Sequence, residues 1–369
     1  NLNTLSIINE LTNKNYIDTI KTKISINDND YKPQEDDLAS IIYTSGTTGN
    51  SKGVMLSHKN LVTNALASYE KVDITSADIF LSILPMAHTY ECTVGLTIPL
   101  LHGASIYYID KSPTPSVLLN AFKIIRPTMI LTVPLIIEKI YKNKILSSFK
   151  SSFFLRNIYK IPFFRKKLNK LAGKKLRESF GGRIKFFAIG GAGISPFVEK
   201  FLIEAEFPYY MGYGLTETAP MLTGSAVGGV IKYKSVGTAM VGVELAIKNK
   251  DSKGQGEIIA KSPGIMMGYY KNIEQTEETM EDGWLLTGDL GYIDEDGFLF
   301  ISGRSKNVII GSSGENIYPE QIEAIINQHE AVIDSLLMHQ DGKLIARIHL
   351  DYECLDYVLK KYKVSNTVE

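Results

Sequence analysis

The chain has 369 residues, 44% of them hydrophobic and 22% charged, and its 40 basic and 40 acidic side chains leave a formal net charge of zero. Such a length buries a large core and ordinarily divides into more than one domain, while balanced charge gives no electrostatic pull toward nucleic acid, which is not expected as a partner. Two cysteines, Cys92 and Cys354, make neither a disulfide framework nor a metal cluster and suit a reducing compartment, read here as the cytoplasm.

From the N-terminus, a weak helix and a polar loop lead to a short apolar strand at Leu38–Tyr43. A polar, glycine-rich stretch follows. His58–Tyr69 is predicted as a helix with Ser57 as N-cap and with Leu61, Ala65 and Leu66 on one side. Ile79–Leu84, Ser105–Ile109, Met129–Val133 and Ile184–Ile189 are short apolar runs separated by helix-like segments, an alternation that predicts an α/β arrangement with buried strands. The apolar run Pro127–Ile140 contains Pro134 and reads as a buried strand followed by a short helix. It falls short of the roughly 18 residues that a spanning helix needs, and no signal peptide is visible.

Residues 150–185 hold twelve Lys or Arg and one acid, Glu178, interleaved with Phe153, Phe154, Phe163 and Phe164. Two readings stand open. One is an amphipathic insertion whose basic face is merely solvated; the other is a surface that rests on anionic lipid or docks an acidic carrier protein. From Val236 to Ile301 short alternating segments separated by Gly and Asp turns predict a small β subdomain. Lys306–Gly314 reads as hinge and hairpin, and Pro319–Gln328 as a helix with Pro in its first turn. Met338–Leu350 reads as two strands paired across Asp341-Gly342.

Residues 44–53 pack Gly46, Gly49 and Gly53, the hydroxyls of Thr44, Ser45, Thr47, Thr48 and Ser51, and Lys52 into ten positions. Glycines let backbone N–H groups approach an anion, and hydroxyls with a lysine donate to phosphate oxygens. The spacing is not that of the Walker loop, because Ser51 stands where its second glycine would. A phosphate loop of another nucleotide-handling class is expected.

The stretch Ile42–His58 resembles the phosphate-binding signature of the AMP-forming adenylating enzymes. Further signatures of that superfamily follow in order: Leu84-Pro85-Met86-Ala87-His88, Gly190-Gly191-Ala192-Gly193, Tyr213-Gly214-Leu215-Thr216-Glu217-Thr218, Gly283 to Gly291, Gly303 to Asn307 and Gly314 to Pro319. The resemblance runs from about Asp36 to about Ile348 and is greatest to bacterial long-chain fatty acyl-CoA synthetases. It implies an α/β region of layered sheet and helix at 1–304, incomplete at its start and carrying a β subdomain at about 236–304. A small mobile α+β C-terminal domain, 305–369, also incomplete, would follow. By the family's standard most of the segment ahead of the phosphate loop is missing, which points to an unusual gene product or a fragment.

The implied chemistry is activation of a fatty acid by ATP to an acyl-adenylate with release of pyrophosphate, then transfer to CoA. Two rivals are an acyl-carrier-protein acylating synthetase and a truncated binder without turnover. By resemblance Thr44 and Glu217 hold Mg²⁺, Lys52 and the loop residues Ser45, Gly46, Thr47, Thr48 and Gly49 hold phosphates, and Thr216 contacts the α-phosphate. Tyr213 stacks on adenine, Ala192 and Gly193 line its edges, and Gly214 belongs to the same ATP site. Asp289 binds the ribose diol with help from Arg304, although the two also suit a structural ion pair. His88 either meets the acyl carboxylate or is a packed histidine. Lys306 is the implied hinge. The family's adenylation lysine near the far end of the C-terminal domain has no match here.

Overall fold

The structure is a computed structural model that describes residues 32–44, 51–150, 153–310, 316–329, 331–340, 343–352 and 355. The expectations placed on the N-terminal segment, on Ser45, Gly46, Thr47, Thr48 and Gly49, on Gly314 and on Cys354 lie outside the described residues.

Strand β1 (Leu38–Thr44) pairs antiparallel with β2 (Lys52–Ser57), setting Thr44 opposite Lys52. The glycine-rich stretch is therefore the connection of a hairpin. Only the first of these strands was expected. The second hides its period-2 pattern behind Ser51 and Lys52, but it buries Val54 and Leu56 completely. A helix at His58–Ala67 follows. Ser57 caps it by accepting from the Asn60 N–H, while Asn60 Oδ1 accepts from the Ser57 N–H. Ala65 is buried as expected, but Leu66 is half-exposed. The helix also turns Asn60 and Asn64 inward, where both meet backbone carbonyls.

The main sheet contains β3 (Ile79–Ser82), β4 (Ser105–Tyr108), β5 (Met129–Thr132), β6 (Phe186–Ile189), β7 (Tyr209–Gly214), β8 (Met221–Gly224) and β9 (Thr238–Ala239), ordered β4-β3-β5-β6-β7-β8-β9. The first five are parallel, and β8 and β9 close one edge antiparallel. Its inner strands β3, β5 and β6 read as nearly continuous apolar runs because both faces are covered. Leu81, Ile130, Phe187 and Tyr209 join one core with Phe122, Leu176, Phe201 and Leu202 from the helices Pro115–Ile125, Pro162–Ser179 and Pro196–Glu204. Their neighbours Phe80, Met129, Phe186 and Tyr210 face the other way, toward Ala65, Val94 and Ile98.

A second sheet contains β10 (Glu244–Lys248), β11 (Gly256–Lys261), β13 (Met280–Glu281), β14 (Trp284–Ile293) and β15 (Leu299–Arg304), as the alternating pattern of that region implied. Between them β12 (Gly268–Tyr269) leaves this sheet and pairs with β2, placing Tyr269 opposite Val54. Beyond Arg304, β16 (Ile309–Ile310) pairs with β17 (Asn316–Ile317), followed by a helix at Pro319–Ile326. The hairpin of β18 (Val332–Gln340) and β19 (Lys343–Leu350) sets Gln340 opposite Lys343, so the pairing is the expected one with a longer first strand.

The long helix Pro162–Ser179 crosses Pro196–Glu204 at Gly173, where a Cβ would lie 2.7 Å from both the Cβ and the carbonyl oxygen of Ala205. Gly173→Ala is expected to push these helices apart and destabilise the chain by about 1–3 kcal/mol. Thermal unfolding would read this as a lowered midpoint, and an unaltered midpoint would contradict the packing.

Candidate active site

The loops at the carboxyl ends of β3, β6 and β7 and the inner edge of the second sheet meet around one cavity of about 690 Å³. Clefts of this kind form where parallel strands end and their connections part. Thr44, Lys52, His88, Tyr213, Gly214, Thr216, Glu217, Arg304 and Lys306 all line it. Of the glycine turn after β6, Gly190 and Gly191 line the cavity, whereas Ala192 and Gly193 are exposed and do not. Asp289 stands just behind the wall, 5% exposed.

Asp289 is held from two sides. The Tyr213 hydroxyl donates to its Oδ2 at 2.8 Å, and Arg304 Nε lies 3.1 Å from Oδ1. Burial raises its pKa above the usual 3.8, and the Arg304 charge and the Tyr213 hydrogen bond offset this only in part. The three groups come from β7, β14 and β15, so the main sheet and the second sheet are clamped together at the cavity.

Glu217 sits on a single helical turn, Thr216–Thr218, after β7. Its Oε1 accepts from the Tyr269 hydroxyl at 2.8 Å, and its backbone carbonyl accepts from the Met266 N–H. The Lys52 ammonium lies 4.9 Å from the centre of the same Tyr269 ring. Asn64 donates to the carbonyls of Thr218 and Met221 at 2.9 Å each and accepts from the Met221 N–H. Asn60 likewise donates to the carbonyls of Pro263 and Ile265. Sequence reasoning missed Asn64 and Tyr269. The available signal was a pair of asparagines four residues apart inside a helix, where such residues are poor helix formers unless they have partners.

On the acyl side implied by the sequence, His88 is exposed on the loop after β3. Its Nδ1 accepts from the Tyr90 N–H at 3.2 Å, which leaves the proton on Nε2. The helix that follows contains a π-helical stretch at Glu91–Thr97. Insertions of this type recur at functional sites. Glu91 is buried inside it. The Ser82 hydroxyl donates to its Oε1 at 2.5 Å, its Oε2 has no partner among the described residues, and burial raises its pKa. The same stretch presents Val94, and beyond it Ile98, to the cavity, opposite Phe80, Phe186 and Tyr210. The cavity thus has a polar part, bounded by Lys52, Thr216, Glu217 and Arg304, and an apolar part pressed against the core.

Thr44 and Glu217 offer hard oxygen donors to one space. Among the described residues no three or more His, Cys, Asp or Glu side chains cluster as a metal cage. One carboxylate and a hydroxyl, with the remaining places left to substrate phosphates and water, is the donor set that suits Mg²⁺. Also among the described residues, no helix is long and apolar enough to cross a membrane.

A profile of the AMP-binding enzyme family matches residues 4–270. The chain is 32% identical over 363 residues to "Long chain acyl-CoA synthetase 7, peroxisomal" of Arabidopsis thaliana, covering 91% of this chain and 51% of that protein. It is 32% identical over 332 residues to "Long-chain-fatty-acid--CoA ligase heimdall" of Drosophila melanogaster, covering 83% and 48%. Among solved structures, ATP-bound MatB from Rhodopseudomonas palustris superposes with a TM-score of 0.71 at 28% identity, over 87% of this chain and 60% of that one. The o-succinylbenzoate coenzyme A synthetase MenE from Bacillus subtilis, in complex with ATP and magnesium ion, gives 0.70 at 26%, over 91% and 66%. The chain spans about half the length of the curated relatives it matches. With a matched profile over most of its length and the cavity where the motifs converge, the chain belongs to the AMP-binding enzyme family.

Proposed function

We propose that this chain carries the adenylating centre of a fatty acid–CoA ligase. The carrying observation is one cavity that joins the Lys52, Thr216 and Glu217 cluster to an apolar pocket lined by Val94, Ile98, Phe80 and Phe186. A nucleotide fits the first and an alkyl chain the second. In the proposed reaction the acid's carboxylate attacks the α-phosphorus of ATP, the bond to the bridging oxygen breaks, and pyrophosphate departs. The thiol of CoA then adds to the acyl carbon, AMP leaves, and the thiol proton passes to solvent.

Both partners of the first step are anions, so fixed positive charge must meet the charge that grows on the phosphates. Lys52 supplies a cation, and Thr44 and Thr216 supply hydroxyl donors. Magnesium held by Glu217 and Thr44 would screen the phosphate oxygens. Tyr213 offers a flat face to adenine, and Asp289 two acceptor oxygens to the ribose diol. His88 offers its Nε2–H to the acyl carboxylate. Lys306, at the end of the second sheet and on the cavity wall, is proposed as the pivot of a mobile unit from 305 onward, with 1–304 as the adenylating domain.

A peripheral, cytoplasmic position on anionic lipid is part of the same reading. The outward side of helix Pro162–Ser179 exposes Lys166, Lys167, Lys170, Lys174 and Lys175 beside Phe163 and Leu171, which are 61% and 62% exposed. Phe154 and Ile161 are exposed just ahead of it. Arg165 is spent internally on Glu204, and Lys170 pairs with Glu206 on the surface. Lysines around exposed aromatic side chains match an anionic headgroup layer, each near-surface lysine contributing about 1 kcal/mol.

Acid-dependent exchange of labelled pyrophosphate into ATP tests the chemistry, and its absence with every fatty acid tried would remove the reading. Lys52→Ala is expected to slow this exchange by about 10²-fold with an unchanged melting midpoint. Asp289→Asn is expected to weaken ATP binding yet raise the midpoint at neutral pH. Asp289 binds its proton more tightly folded than unfolded, so its ionisation opposes folding, and wild-type stability recovers as pH falls through the raised value toward 3.8. A midpoint that falls in the variant would contradict this. For the surface, co-sedimentation with phosphatidylglycerol vesicles should exceed that with phosphatidylcholine vesicles, weaken with salt, and fail in a Lys166→Glu, Lys167→Glu, Phe163→Asp chain. Equal sedimentation with both lipids would refute lipid docking, as would capture by an acidic carrier protein alone.

A further inference from the structure

We propose that Tyr269 is a positioning residue that fixes the Glu217 carboxylate and the Lys52 ammonium relative to each other. The proposal rests on the adenylation reading above and extends it to a side chain outside the motifs that suggested that reading.

Tyr269 is 5% exposed, and its backbone is tied on both sides. Strand β12 pairs it with Val54, two residues after Lys52. Its N–H donates to Thr276 Oγ1 at 2.9 Å, and Thr276 belongs to the helix Ile273–Thr279, which Asn272 caps. The ring therefore has little freedom. Its edge and its face do different things. The hydroxyl donates to Glu217 Oε1 and so occupies one oxygen of the carboxylate, while the ring face supports the Lys52 ammonium through its quadrupole.

A carboxylate of opposite sign so near Lys52 would ordinarily draw the lysine into an ion pair. Both side chains would then be lost to a ligand. A phenol placed against both gives each a partner without cancelling either charge. Magnesium fits Glu217 only if one of its oxygens remains open, and the phosphates meet Lys52 only if the ammonium is not already neutralised. Tyr269 meets both conditions with a single side chain.

Two variants separate the two contacts. Tyr269→Phe keeps the ring and removes the hydroxyl; Tyr269→Leu removes both. Calorimetry with α,β-methylene-ATP, with and without Mg²⁺, and Mn²⁺ titration followed by electron paramagnetic resonance read binding without turnover. For Tyr269→Phe, metal-free nucleotide affinity is expected to hold, whereas Mn²⁺ affinity in the nucleotide complex falls about tenfold, the scale of one hydrogen bond to a charged group. Tyr269→Leu should weaken metal-free nucleotide binding as well. In a double-mutant cycle, Tyr269→Phe should add almost nothing to Glu217→Gln.

Unchanged Mn²⁺ affinity in Tyr269→Phe, or full additivity with Glu217→Gln, would overturn the positioning role. So would a Tyr269→Phe chain that loses its cooperative melt, since the residue would then serve packing. A wild-type chain that binds the nucleotide analogue under neither condition would instead sink the adenylation reading itself.

Discussion

The polar side of the cavity depends on how closely two stretches of backbone pass each other. At Gly214 a Cβ would lie 1.7 Å from the carbonyl oxygen of Pro220, so any other residue there would force β7 and β8 apart. That approach bends the chain back within the few residues that carry Thr216 and Glu217. Thr218 closes the bend, accepting from the Leu215 N–H and donating to the Pro220 carbonyl. Asn64 then donates to the carbonyls of Thr218 and Met221 at the far side of the bend. Each buried carbonyl so satisfied avoids a penalty of about 1–3 kcal/mol. The turn that carries Thr216 and Glu217 is thus built from hydrogen bonds and a missing side chain more than from apolar packing.

The main sheet separates the lysine-rich surface from the cavity. One face, with the helices Pro115–Ile125, Pro162–Ser179 and Pro196–Glu204, is packed solid. The lysine-rich surface lies outside this face. The other face holds the cavity, where the same strands present Phe80, Phe186 and Tyr210. Because successive residues of a strand point to opposite sides, each strand serves the packed face and the ligand face with alternate residues. A contact made by the lysine-rich helix therefore reaches the cavity only through the full thickness of the sheet.

What could be read from the sequence follows from this division. Strands β3, β5 and β6 were legible as apolar runs because a strand covered on both faces has few polar residues to interrupt it, and the edge strand β4 was legible through Ile106 and its tyrosines. Strands β7 and β8 were not, since Gly212, Tyr213 and Gly214 look like a loop until the partner backbone is known. The glycine turn after β6 was recognisable, yet which of its residues reach the cavity depends on where the strand stops. It stops at Ile189, so Gly190 and Gly191 line the cavity and Ala192 and Gly193 do not. Motif residues such as Lys52 and Glu217 were visible as types in a fixed order. Their supports were not, because Tyr269 and Asn64 lie far from them along the chain and act through single polar atoms.

The π-helical stretch behind the apolar pocket couples shape to acidity. Burial raises the Glu91 pKa although the Ser82 hydrogen bond pulls it the other way, so ionising this one side chain works against the turn that encloses it and carries Val94 to the pocket wall.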